Sequence, residues 1–192
     1  MKIQGILSSL LLLAMPALGA QYTLDLQPAN TKVLFTLPDA LHTVHGSFNL
    51  KGGNIDFDTE TGKASGQVAV DVTSGNSGSD ARDSRMHANV LESKKYPEAV
   101  FAPDRVEGAL SVPGSSSIRV YGTFTIHGAA HEITMEVHLS CTPEQAHATM
   151  SFDLPYVAWG MKDPSNFLLK VEKKVAIRVT AEGDFSWPAV EP

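Results

Sequence analysis

The residues best equipped for chemistry lie together in one stretch, RDSRMHANVLESKKYPEAVF, from Arg82 to Phe101. Arg82 and Arg85 are three apart, so on a helix they project in neighbouring directions and could together hold an anionic head group. The same cations could equally pair with Asp83, Glu92 or Glu98. Asp83 and His87 are four apart, a spacing that suits a catalytic pair or a contact that steadies the helix.

Elsewhere the inventory is thin. The chain has seven histidines, but His42 and His45 have opposite parity in a strand and point to opposite faces. His127 and His131 flank Gly128, yet a metal site needs a third ligand and none is evident. No metal is therefore expected. There is no Gly-x-Ser-x-Gly elbow, and no catalytic residue is nominated. Cys141 is the only cysteine; it continues a strand pattern and reads as a small buried residue.

The elements that must position these groups are strands. Val33, Phe35 and Leu37 alternate with polar neighbours, as do Val44, Gly46, Phe48 and Leu50, and Gly52-Gly53 reads as a turn into Ile55 and Phe57. The pattern recurs from Val68 to Val72, Ile118 to Ile126, Ile133 to Leu139, Ala148 to Leu154 and Leu169 to Val179. In the last run the register holds only if Lys173 sits at a bulge or rim. Short turns and no alternating helices imply an antiparallel meander, and closure into a barrel of about eight strands removes its edges. The fold class expected is all-β.

One short helix interrupts the strands near residues 80–92. Ser79 or Asp80 can cap it, Asp83 sits in its first turn, and Pro97 bars its continuation. Met86 and Val90 share a face and are expected to turn inward where the helix crosses a barrel mouth. Opposite the apolar faces stand Glu132, Thr134, Glu136 and His138 in one strand, and Lys170, Glu172 and Lys174 in another. Those charges need water, so a barrel apolar inside is preferred to a transmembrane one.

The N-terminal MKIQGILSSLLLLAMPALGA reads as a secretory signal peptide over residues 1–20, leaving residues 21–192 as a single domain exported to the periplasm. Its apolar run is shorter than the ~20 residues that span a bilayer, so no stable membrane insertion is expected. With 15 basic and 21 acidic side chains and a formal charge of −6, the chain is a poor candidate for nucleic acid. Phe35, Phe48, Phe57, Phe101, Phe124, Met135 and Phe152 fall on inward faces. Small residues, Gly46, Gly122 and Ala148, share those faces, so a filled barrel and a hollow one both fit the pattern.

Two blocks resemble a known family. Arg82-Asp83, Met86, Val90-Leu91-Glu92 and Tyr96-Pro97 followed by Phe101 resemble the central signature of the YceI-like family of exported lipid-binding proteins. VYGTFTIHGAAHEITMEV, Val120 to Val137, is similar to that family's Gly-x-hydrophobic-Thr-hydrophobic-x-Gly block. The opening YTLDLQPANTKVLFTL and closing VAIRVTAEG extend the likeness from Tyr22 to about Gly183. Ala130 stands where a threonine is common, and YVAWGMKDPSNF looks like a variant rim.

The resemblance implies a lipocalin-like barrel, extended and hollow, that carries an isoprenoid lipid such as a prenylated quinone or polyprenyl phosphate. It implies no cofactor beyond that ligand and admits a homodimer. The expected tunnel lining is then the six phenylalanines above with Met135 and Trp159, with Met161 as a further lipid contact. Arg82, Arg85 and His87 are the head-group neighbours. Two other readings remain: an enzyme acting on a lipid head group through Asp83 and His87, and a structural or stress-response adaptor with a filled barrel.

Overall fold

The structure, a computed structural model, describes residues 21–38, 42–167 and 170–187. Nine strands follow one another: β1 (Gln21–Leu26), β2 (Lys32–Pro38), β3 (Thr43–Asp58), β4 (Ala64–Asn76), β5 (Glu98–Glu107), β6 (Gly114–Ile126), β7 (Ala129–Cys141), β8 (Gln145–Leu154) and β9 (Val175–Ser186). All pairings are antiparallel. From β3 to β9 each strand pairs with the next, and β2 closes the ring between β9 and β3. β1 pairs with the same two strands further along, at Gly53–Asp58 of β3 and Gly183–Ser186 of β9. β1 and β2 are thus one stave broken by a 3-10 turn at Pro28–Asn30. The result is a closed eight-stave barrel, and closure leaves every strand paired on both sides.

Two irregularities keep the apolar faces inward. In β3 the buried or half-buried apolar residues are even-numbered through Leu50 and odd-numbered from Ile55 to Phe57. A strand alternates strictly, so one extra residue must intervene. It sits at Gly52-Gly53, where pairing with β4 slips between Leu50 and Gly52 and both glycines have positive φ. The expected turn there is a bulge inside one long strand. β5 switches likewise, from Ala99 and Phe101 to Val106, across a slip between Pro103 and Arg105.

The outer faces are polar. Glu132, Thr134, Glu136 and His138 are all exposed, as expected. Lys170, Glu172 and Lys174 are exposed too, but they precede β9 rather than belong to it, because that strand starts at Val175. Lys173 is therefore a rim residue, and Leu169 lies outside the described residues, as does the 1–20 segment. No helix among the described residues is long and apolar enough to cross a membrane.

The helical insertion lies between β4 and β5. It is shorter and less regular than a single helix over 80–92: α1 (Asp80–Arg85) runs into a wider π-helical turn at Met86–Val90, closed by the Leu91 N–H donating to the Met86 carbonyl at 2.9 Å. Ser79 holds the N-cap position without a side-chain cap bond. Asp83 reaches back instead and accepts from the Ser77 backbone N–H at 3.0 Å and from the Ser77 hydroxyl.

Candidate ligand-binding site

The inward faces of the staves enclose a cavity of about 840 Å³. On β6 its wall runs from Ile118 to Ile126, roughly 26 Å along the strand and roughly 20 Å along the axis of a barrel whose strands tilt by about 40°. The mean bore is then roughly 7 Å across, by that same rise and tilt. The space is a tube rather than a globular hole, and a barrel filled by its own side chains is not what the fold contains.

The inward aromatics pair along the wall instead of meeting on the axis. Phe35 and Phe48 lie on adjacent strands with ring centroids 5.4 Å apart. Gly46, directly opposite Phe35, leaves the space its ring occupies, since a Cβ there would overlap Phe35. Phe124 on β6 and Phe152 on β8 meet edge to face at 6.1 Å. Phe57, Phe101 and Met135 border the cavity nearer its other end. There Tyr22 stacks on Phe57 at 5.3 Å and on Phe185 at 5.6 Å, all three buried.

The polar groups gather at the opposite end. Arg82, Arg85 and Asn89 of the helical insertion, and Lys162, Asp163 and Asn166 of the segment before β9, border the cavity and reach solvent. Away from that mouth the one polar side chain in the wall among the described residues is Thr31, whose hydroxyl donates to the Gln27 carbonyl at 2.9 Å. An apolar tube with a charged mouth orients an amphipathic ligand: the tail gains from burial and the head stays wet.

The helical insertion forms part of that mouth. Met86, Val90 and Leu91 border the cavity and join the apolar cluster of Phe35, Val72 and Leu154. Underneath, Gly75 is buried where β4 passes below the helix: a Cβ there would lie 2.6 Å from Phe48 and 2.9 Å from the Met86 methyl. Beyond the helix the chain is fastened to the His127-Gly128 turn between β6 and β7. His127 Nε2 lies 2.7 Å from Glu92, and its ring centroid is 4.5 Å from that of Tyr96.

The three residues expected near a head group fare differently. Arg85 is exposed, borders the cavity and has no hydrogen-bond or ion-pair partner among the described residues. Arg82 also borders it, but its guanidinium donates to the Ser77 hydroxyl at 2.7 Å and the Ser77 carbonyl at 2.8 Å. His87 is not in the wall; its ring sits between the Gly75 carbonyl and the Ser93 hydroxyl. Asp83 and His87 share no hydrogen bond, each being held elsewhere. Trp159 is also outside the wall, stacked 4.0 Å from His131 and within 4° of parallel to it, while Met161 borders the cavity. His127 and His131 therefore have separate partners, and no group of three metal-ligating side chains occurs among the described residues.

Sequence reasoning missed the far side of the mouth. Lys162 is exposed and, like Arg85, has no partner among the described residues. Asp163 is held below the usual carboxylate range by hydrogen bonds from Ser165, helped by Lys173 and Lys170. Burial, with the Asp163 and Glu172 charges, pushes the Tyr156 phenol up to about 12, and its hydroxyl donates to the Glu172 carbonyl at 2.8 Å. The available signal was the turn-forming run Lys162-Asp163-Pro164-Ser165-Asn166 between two strand patterns.

The family model for the YceI-like domain matches residues 22–183. Among solved structures the chain is similar to Burkholderia cenocepacia BcnA, with a TM-score of 0.69 and 19% identity over 83% of this chain and 99% of that one. It is also similar to a polyisoprenoid binding domain from Saccharophagus degradans implicated in plant cell wall breakdown, with a TM-score of 0.64 and 18% identity over 87% and 98%. A Campylobacter jejuni YceI protein matches with a TM-score of 0.58 and 16% identity over 71% and 83%. No curated protein matches in sequence. At these identities the likeness to solved structures establishes the shared fold.

Proposed function

The chain belongs to the YceI-like domain family, and on that footing we propose that it is a periplasmic carrier for a long-chain isoprenoid lipid. The ligand class is a prenylated quinone or a polyprenyl phosphate, bound tail inward and left unconverted. One observation carries this reading: a narrow cavity of about 840 Å³, apolar along its length, with charged side chains only at one end. The binding role of the similar S. degradans domain supports it. So does the placement of Asp83 and His87, both held by neighbours and neither in the cavity wall.

A carrier must compete with the bilayer for its cargo. Each methylene moved from water into an apolar site is worth about 0.8 kcal/mol, so a tail protruding by several carbons would be lost to the membrane. A long narrow tube meets that demand better than a round pocket of equal volume. Arg85 and Lys162 are the head-group neighbours this reading favours, because neither has another partner among the described residues.

Detergent-free purification from the native host, followed by mass spectrometry of the extracted lipid, tests the proposal. A near-stoichiometric isoprenoid is expected, with the chain cut near Gln21. Repeated recovery of adventitious detergent or of nothing contradicts it.

A further inference from the structure

The mouth has a neighbour that lipid storage alone does not explain. Phe167 is 95% exposed, the most solvent-facing large apolar side chain among the described residues; Leu34, the other exposed one, is at 42%. Single exposed hydrophobic residues are ordinary, so its surroundings decide what it means. It directly follows Asn166, which borders the cavity, and so stands next to the opening along the chain. The segment 162–174 carries Lys162, Lys170, Lys173 and Lys174 against Asp163 and Glu172, a formal charge of +2 in a chain of −6. All four lysines are exposed, and Lys170 and Lys173 both act electrostatically on Asp163, which borders the cavity. Arg82 and Arg85 add cations from the opposite side of the mouth.

From this juxtaposition we infer that the rim docks on an anionic bilayer, with Phe167 entering the headgroup region and the lysines against the lipid phosphates, so that the tube opens onto the membrane surface. An exposed phenylalanine at the tip of a basic surface supplies what interfacial binding uses, apolar area for the acyl boundary and cations for anionic lipid. The remainder of the chain is acidic and is repelled by the same surface, which orients the barrel mouth-first. The inference rests on the carrier reading for its purpose, but the docking itself depends only on the rim.

Co-sedimentation of the mature chain with phosphatidylcholine vesicles, with and without phosphatidylglycerol, tests it. Binding is expected only with phosphatidylglycerol and should weaken as salt is raised. Phe167→Ser should lower the partition about tenfold or more, and Lys170→Glu with Lys174→Glu about twentyfold or more, since each reversal removes an attraction and adds a repulsion. Uptake of N-phenyl-1-naphthylamine, reporting the apolar tube, should be unchanged in both variants. Wild-type chain that ignores phosphatidylglycerol, or Phe167→Ser that binds vesicles as well as wild type, overturns the docking while leaving the tube intact. Vesicle binding without dye uptake overturns the carrier reading while the docking stands.

Discussion

His87 Nε2 lies 2.9 Å from the carbonyl oxygen of Gly75, fastening the helical insertion to β4. The carbonyl can only accept, so Nε2 carries the proton. In the neutral ring Nδ1 then accepts from the Ser93 hydroxyl at 3.0 Å. Gly75 and Ser93 are both buried, which makes the histidine a structural pin beneath the mouth.

His87→Ala leaves a buried carbonyl and a buried hydroxyl without partners, a loss of about 2–3 kcal/mol in unfolding free energy. Urea denaturation measures it. Amide exchange in residues 80–91 should quicken at the same time. A variant as stable as wild type but altered in lipid selectivity would return His87 to the head group.

Ala148 is buried, borders the cavity and is flanked in register by Leu139 and Ala181. In a solid core, Ala148→Leu would cost about 1–3 kcal/mol through overpacking. Here the added carbons project into the tube. The denaturation midpoint is expected to stay level or rise, while the amount of bound lipid falls.

Tyr156 gives an alkaline signature. Its pKa, raised to about 12 from 10.0 by burial and then by the Asp163 and Glu172 charges, means the folded state binds the phenolic proton more tightly than the unfolded state. The resulting stability is fully present below pH 10 and is lost as pH rises toward about 12. Tyr156 should give a late ionisation step in an absorbance titration. Tyr156→Phe should remove that late step and flatten the alkaline loss of stability. A titration with no tyrosine step later than the ordinary range would contradict this environment.

The fold was legible where period-two alternation carries it. Phe35, Phe124, Met135 and Phe152 could be assigned to the inner face because side-chain direction in a strand follows parity alone. Gly52-Gly53 misled because a glycine pair signals a turn and a bulge alike. The parity change between Leu50 and Ile55 was the cue for the bulge, since a true turn would have reversed the chain. The strands Gln21–Leu26 and Glu98–Glu107 completed the barrel that the pattern closed without them.

The mouth was less legible. Arg85 was reachable from helical spacing, but the engagement of Arg82 with Ser77 and of His87 with Gly75 depends on a loop folding back, which no local periodicity records. Lys162 escaped because it lies 77 residues from Arg85 and joins it only when the barrel closes. Trp159 was placed in the tunnel by its chemistry, whereas its ring is taken up by His131.

The most direct measurement is a crystal structure of the chain purified from its host without detergent. Continuous elongated density is expected from beside Phe57 to the mouth between Arg85 and Lys162, filling the bore that Phe48, Phe124 and Phe152 leave open. Those three rings in contact on the barrel axis, with no space between them for a chain, would contradict it.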